Sequence, residues 1–241
     1  MALRSDIEGD IAKTVNTRLG TTVRTDIALE TVPDPSKMGY SEGVYLPSTY
    51  LYADMADSSG LVAVSPAETV ARVMKAYLSV STRIIRANNG HIRSFDGDRV
   101  MGIFAGNDRY SRAAKSALQI KWAMNSLVQP AIASQFGSIK ESGWQLRHAC
   151  GIASGKSLLV RAGFRGNDDM ISVGTAPNLA AKLSDLRQDH FSTFIGSGTY
   201  NKLNDAAKLS KGVDMWRGPF SYAMGGKTYS YYKTSYFWRL K

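Results

Sequence analysis

Residues 93–104 read RSFDGDRVMGIF, with Asp96 and Asp98 one residue apart between two alternating apolar runs. An Asp-Gly pair in that setting predicts a tight hairpin, and turn chemistry alone accounts for acids there. A second acidic position changes the question. Asp54 lies near the end of the run VYLPSTYLYADM, which reads as a strand in which Tyr50, Tyr52 and Asp54 share one face. A charge inside a central strand is costly unless something pairs with it. If that strand lies beside the hairpin, Asp54 and Asp98 converge. Two carboxylates, with main-chain carbonyls and phosphates, are the oxygen ligands that Mg²⁺ or Mn²⁺ takes. Two such ions can activate a hydroxyl and hold a triphosphate. The small residues after Asp54 (Asp57, Ser58, Ser59 and Gly60) read as a loop able to wrap a phosphate.

The remaining pattern supplies elements to position these acids. Residues 5–19 put Ile7, Ile11 and Val15 on one helical stripe, with Gly20 as a stop, and TVPDPSKMGYSEG reads as a linker. We therefore divide the chain into an N-terminal helix and linker, 1–42, and a main domain, 43–241. Ser65-Pro66-Ala67-Glu68 reads as a capping box for a helix carrying Val70, Val73, Tyr77, Ile84 and Ile85, closed by Asn88-Asn89-Gly90. A helix is expected from about residue 108 to 128, then a strand, QLRHACGIAS. GKSLLVRAGFRGNDDMISVG reads as an irregular hairpin with a basic tip. Thr175-Ala176-Pro177 opens a helix with Asn178 and Lys182 on one face, and the last strands follow it. The order predicts an α+β fold, a split βαβ pattern of ferredoxin-like type, with a mixed, largely antiparallel sheet and helices on one face.

Composition narrows the classes. Of 241 residues 44% are apolar, enough for a sizeable core, and no apolar run is long enough to span a membrane. A single cysteine, Cys150, excludes an intrachain disulfide and a multi-cysteine zinc site, and fits the cytoplasm. His91 and His148 fall on predicted strands and read as packed residues. The charge of +10 points to a polyanionic partner or to a solvated basic surface.

Four segments in order, YLYADMADSSGL, GHIRSFDGDRVMGIF, RHACGIASG and ISVGTAPNLAAKL, resemble the class III nucleotidyl cyclases. The resemblance spans about residues 46–233. It implies a cyclase homology domain forming a head-to-tail homodimer with two composite sites. It implies two Mn²⁺ or Mg²⁺ ions per site, held by Asp54, Asp98 and the Met55 carbonyl. Asn178 takes the place of the asparagine that orients the ribose. Lys182 stands where the family carries an arginine, keeping the charge without the planar fork.

The two purine-reading positions of that family are Ser94 and Ile171 here, so neither the adenine nor the guanine pair is present, and the resemblance implies either a purine cyclase that discriminates poorly or one that serves a different base. Tyr50 and Arg93 then either narrow the pocket for a pyrimidine, or Tyr50 simply packs under a helix. A cyclase lacking purine selectors resembles the pyrimidine cyclases of Pycsar antiphage systems. By that resemblance UTP is favoured over CTP, and the product signals to a separate effector, with no DNA partner and no membrane span. Asp96 is either a turn acid or a third carboxylate near the metals, and the family's triphosphate lysine has no clean counterpart, Lys227 being only nearby. An RNA-binding module of the RRM type is the rival class. It calls for an aromatic motif on a central strand, which is absent.

Overall fold

The computed structural model describes residues 3–164 and 167–240. In chain order the elements are α1 (Leu3–Asn16), β1 (Gly20–Val23), β2 (Glu42–Ala56), α2 (Ser58–Val64), α3 (Ala67–Ala87), β3 (His91–Asp96) and β4 (Arg99–Phe104). Then come α4 (Arg109–Ala123), α5 (Gln129–Gln135), α6 (Gly137–Ser142), β5 (Arg147–Phe164), β6 (Asn167–Val173), α7 (Thr175–Ser184) and β7 (Thr193–Gly196). The chain finishes with α8 (Ser197–Tyr200), α9 (Asp205–Lys208), β8 (Leu209–Ser210), β9 (Val213–Asp214), β10 (Arg217–Met224) and β11 (Lys227–Thr234).

The main sheet runs in the order β10-β11-β7-β5-β2-β4-β3, with β1 beside β2 and β6 beside β5. Its pairs are antiparallel except β5–β7 and β1–β2, so the sheet is mixed. Period-two alternation sorts β2 between two cores. Leu51, Ala53 and Met55 join Val73, Tyr77, Leu118 and Ile120 of α3 and α4, whereas Tyr50 joins Ala176, Leu179 and Leu183 of α7 on the other face. Each of the leucine, valine, isoleucine and methionine side chains, fully withdrawn from water, contributes about 1.5–3 kcal/mol. Helices thus cover both faces, not the single face expected. The alternation in β2 and β5 is apolar on both sides, as a doubly covered sheet requires.

Several expectations differ in detail. The small-residue run after Asp57 is the helix α2 rather than a loop. The capping box does not form: Pro66 is the N-cap without a side-chain bond, and the Ser65 hydroxyl pairs with Ser138 Oγ at 2.9 Å. The helix expected to 128 is α4, which widens into a π turn over Met124–Val128 and resumes as α5. Pro130 in its first turn has no N–H to donate, and a widened turn absorbs that loss. GKSLLVRAGF is the continuation of β5, and it pairs antiparallel with β6 as the expected hairpin, without the irregularity expected; the tip, Arg165 and Gly166, lies outside the described residues. Between α1 and the expected linker, β1 pairs with β2. On α1 the apolar stripe Leu3, Ile7, Ile11 and Val15 is exposed. No helix among the described residues is long and apolar enough to cross a membrane.

Candidate active site

β3 and β4 are joined through Gly97 and Asp98, with Asp96 opposite Arg99. Gly97 has φ of 58°, the left-handed conformation a two-residue hairpin asks of its first turn residue. β4 lies against β2 with Arg99 opposite Asp54, and Met55 N–H donates to the Asp98 carbonyl at 3.4 Å. Asp54, Met55 and Asp98 therefore meet at one corner of the sheet, the convergence expected from their types. Met55 turns its side chain into the core, so only its main chain faces this corner.

The carboxylates differ in surroundings. Asp54 is buried, and it accepts Arg99 Nε on Oδ1 at 3.2 Å and Arg187 Nη2 on Oδ2 at 2.7 Å. Arg99 also donates to Asp185 at 2.5 Å, and Lys182 Nζ lies 3.8 Å from the other Asp185 oxygen. Burial pulls on the Arg99 guanidinium, but its bonds to Asp54 and Asp185 outweigh that and raise its pKa. Asp98 Oδ2 is buried without any hydrogen-bond partner. A buried carboxylate oxygen left without a donor fits a site that takes a cation. Asp96 is exposed at the end of β3, opposite Arg99.

Behind this corner, on the α3 face, His148 lies opposite Met55 and its ring is 6.3 Å from that of Tyr77. Burial, then the charges of Lys121 and Arg187, push the His148 pKa down to about 3. Cys150 is a free buried thiol whose pKa burial raises. Neither offers proton chemistry near neutral pH.

The second group of expected residues sits on and around α7. Gly151 and Gly155 of β5 lie under this helix: a Cβ at Gly151 would fall 2.0 Å from the Ala180 carbonyl oxygen, and one at Gly155 3.2 Å from Ala176 Cβ. The two glycines of the GIASG run thus let α7 lie directly on the strand. Asn178 and Lys182 are exposed on its outer face. Lys182 is at the Asp54 end and joins the ion pairs there. Asn178, one turn earlier, faces outward, and no hydrogen bond links it to Asp54 or Asp98.

The base-reading positions are more scattered. Tyr50 is fully buried under α7, and its hydroxyl lacks a partner. Arg93 donates to the Pro33 carbonyl while its Nε is buried without a partner. Ser94, opposite Met101, is on the Tyr50 face. Ile171 is opposite Val160, whereas Tyr50 is aligned with Ala153, so alternation puts Ile171 on the other face, half exposed. The structure does not bring Ile171 to Tyr50 and Arg93. Asp57 is also not a simple phosphate wrapper. It is left-handed at φ of 61°, and its carboxylate folds over Gly60, where a Cβ would meet it at 2.5 Å, so it adds negative charge beside Ser58 and Ser59.

Sequence reasoning missed Arg99, Asp185 and Arg187. Arg99 was within reach, since a two-residue turn at Gly97-Asp98 places it opposite Asp96 and next to β2. Arg187 is 133 residues from Asp54, and only the fold joins them.

No family model matches the chain. It is 40% identical over 188 residues to the uridylate cyclase of Rhodovulum sp. (strain MB263), covering 77% of this chain and 78% of that protein. The uridylate cyclase of Burkholderia cepacia is 38% identical over 183 residues (76% and 77% of the two chains), and that of Xanthomonas perforans 34% over 197 residues (82% of each). The chain belongs to the uridylate cyclase family. It is an enzyme of the nucleotide cyclase type. Solved cyclases share its fold at low identity. The guanylyl cyclase Cya2 superposes with a TM-score of 0.66 at 19% identity, covering 81% of this chain and 94% of that one. The adenylyl cyclase CyaB from P. aeruginosa superposes with a TM-score of 0.60 at 20% identity, covering 80% and 95%.

Proposed function

We propose that this member of the uridylate cyclase family converts UTP to 3′,5′-cyclic UMP and pyrophosphate. The observation that carries the reading is the corner where Asp98 Oδ2 stands unpartnered beside Asp54, in a chain so similar to three uridylate cyclases. The 3′-oxygen forms a bond to the α-phosphorus, the α–β bridging bond breaks, and the hydroxyl proton leaves with pyrophosphate as the other product. Divalent metal, Mn²⁺ or Mg²⁺, supplies charge neutralisation and a more acidic hydroxyl when bound. Asp54 and Asp98 would hold it with the Met55 carbonyl. Asn178 orients the ribose, and Lys182 faces the charge that builds on the departing phosphates.

Asn178 is exposed on α7 with no hydrogen bond to the acidic corner of its own chain, and this supports a head-to-tail homodimer in which α7 of one protomer completes the site of its partner. In the base pocket Arg93 can only donate a hydrogen bond. The uracil 4-oxygen only accepts one, whereas the cytosine 4-amino group only donates, so Arg93 favours UTP. Tyr50, with its unpartnered hydroxyl, lies close enough for the two side chains to interact electrostatically. Residues 43–241 then form the catalytic domain. As the resemblance to Pycsar cyclases implies, the cyclic product is a second messenger that activates a separate effector against phage.

The test is incubation of pure protein and Mn²⁺ with each of the four ribonucleoside triphosphates separately, with products identified by mass. Cyclic UMP is the expected main product. Product from ATP or GTP but from neither pyrimidine would sink the base assignment.

A further inference from the structure

The carboxylate at the centre of the site is already occupied by side chains. Both oxygens of Asp54, 6% exposed, are held by guanidiniums, Arg99 at 3.2 Å and Arg187 at 2.7 Å. Arg99 continues to Asp185, and Asp185 to Lys182. Two guanidiniums thus already neutralise the Asp54 carboxylate before a ligand arrives. A bare hydrated dication meets two positive guanidiniums at Asp54 and must displace two charge-assisted hydrogen bonds. A dication chelated by a triphosphate arrives as a net anion, for which the same guanidiniums are attractive partners.

The two arginines differ in freedom. Arg99 is fixed in the β2–β4–β3 ladder and retains Asp185 if it lets Asp54 go. Arg187 belongs to the segment after α7, with its side chain 43% exposed, and its other amino group donates to the carbonyls of Ser184 at 2.7 Å and Leu186 at 3.1 Å. It can swing outward without disturbing the sheet.

We propose that Arg99 and Arg187 are resident counter-cations of the metal carboxylate: they hold Asp54 in place without metal, exclude free divalent cation, and yield to a cation that arrives bound to its triphosphate. This rests on the reading of Asp54 and Asp98 as metal ligands. Arg187 is the mobile member, and both act as positioning residues.

The test is Mn²⁺ binding, read from the electron paramagnetic resonance signal of free Mn²⁺. Titrations are run on the full chain alone and with α,β-methylene UTP, whose bridging carbon cannot leave. Wild-type protein is expected to bind Mn²⁺ alone at least about tenfold more weakly than with the analogue. Arg187→Met should tighten binding of Mn²⁺ alone by about tenfold, because a unit charge next to the ion is gone, and should lower the unfolding midpoint of the metal-free protein. Arg187→Lys keeps the charge and should show less than half of that gain on a logarithmic scale; it also serves should the methionine variant fail to fold. If neither variant binds Mn²⁺ alone more tightly than wild type, or wild type binds it equally with and without the analogue, the counter-cation role is overturned. Failure of the underlying reading looks different: wild type would bind no Mn²⁺ even with the analogue, and Asp54→Asn would leave turnover intact.

Discussion

Substituting Gly151 with alanine tests how the strand places α7, the helix proposed to carry Asn178 and Lys182 to the substrate. The added methyl would sit 2.0 Å from the Ala180 carbonyl oxygen and 2.4 Å from the Ser184 nitrogen. Both are main-chain atoms of α7 that cannot rotate aside, and ordinary contact needs about 3.5 Å. The helix must therefore lift by about 1.5 Å or tilt. Overpacking of this kind costs about 1–3 kcal/mol of stability. The larger effect falls on turnover, because α7 carries Asn178 and Lys182, and a displacement of about 1 Å at a positioning group costs on the order of 100-fold. Gly155→Ala is the internal control, since its methyl meets only Ala176 Cβ, at 3.2 Å, and loss below about tenfold is expected. The assay is cyclic nucleotide formation by chromatography, paired with urea unfolding of each variant. A folded Gly151→Ala protein with kcat within about twofold of wild type would refute the claim that close strand–helix contact positions the catalytic face.

Further outcomes follow from the same geometry. Asp54→Asn and Asp98→Asn should each cut product formation by about 100-fold or more, measured at saturating UTP and Mn²⁺. Full activity in both would end the metal assignment. Mixing Asp54→Asn chains with Asn178→Ala chains should restore about one working site per heterodimer, and heterodimers without activity would argue against composite sites. His148 is neutral in the folded protein down to about pH 3, whereas in the unfolded chain it takes a proton near 6.5. Between those values only the unfolded state gains the proton, so stability should fall with decreasing pH by about 1.4 kcal/mol per unit, and His148→Gln should flatten that slope. Lys121 is buried, donates to the carbonyls of His190 and Ser235, and has its pKa pushed down by burial to about 8. The unfolded chain keeps that proton up to about 10.5, so stability should rise from pH 8 to 10.5 in denaturant titrations, and Lys121→Met should lose the rise.

What the sequence by itself determined was local. A two-residue turn, an alternating strand and a proline-opened helix are encoded within a few residues. Asp98 at a hairpin tip, Asp54 on one strand face and Asn178 with Lys182 on one helix face were legible for that reason. The glycines at 151 and 155 could be read as a motif, but why they must be glycine appears only when α7 lies on β5. Long-range juxtaposition decided the rest. Whether α2 was helix or loop, and whether helices covered one face or two, depended on burial against distant segments. The pairing of Arg187 with Asp54 depends on β5, α7 and β2 stacking in one order. Charges interact through space, and spacing along the chain carries no record of which arginine a buried aspartate will meet. The position of Asp54 beside the acidic hairpin was therefore legible from its neighbours in sequence, while the cations that hold it became visible only in the folded chain.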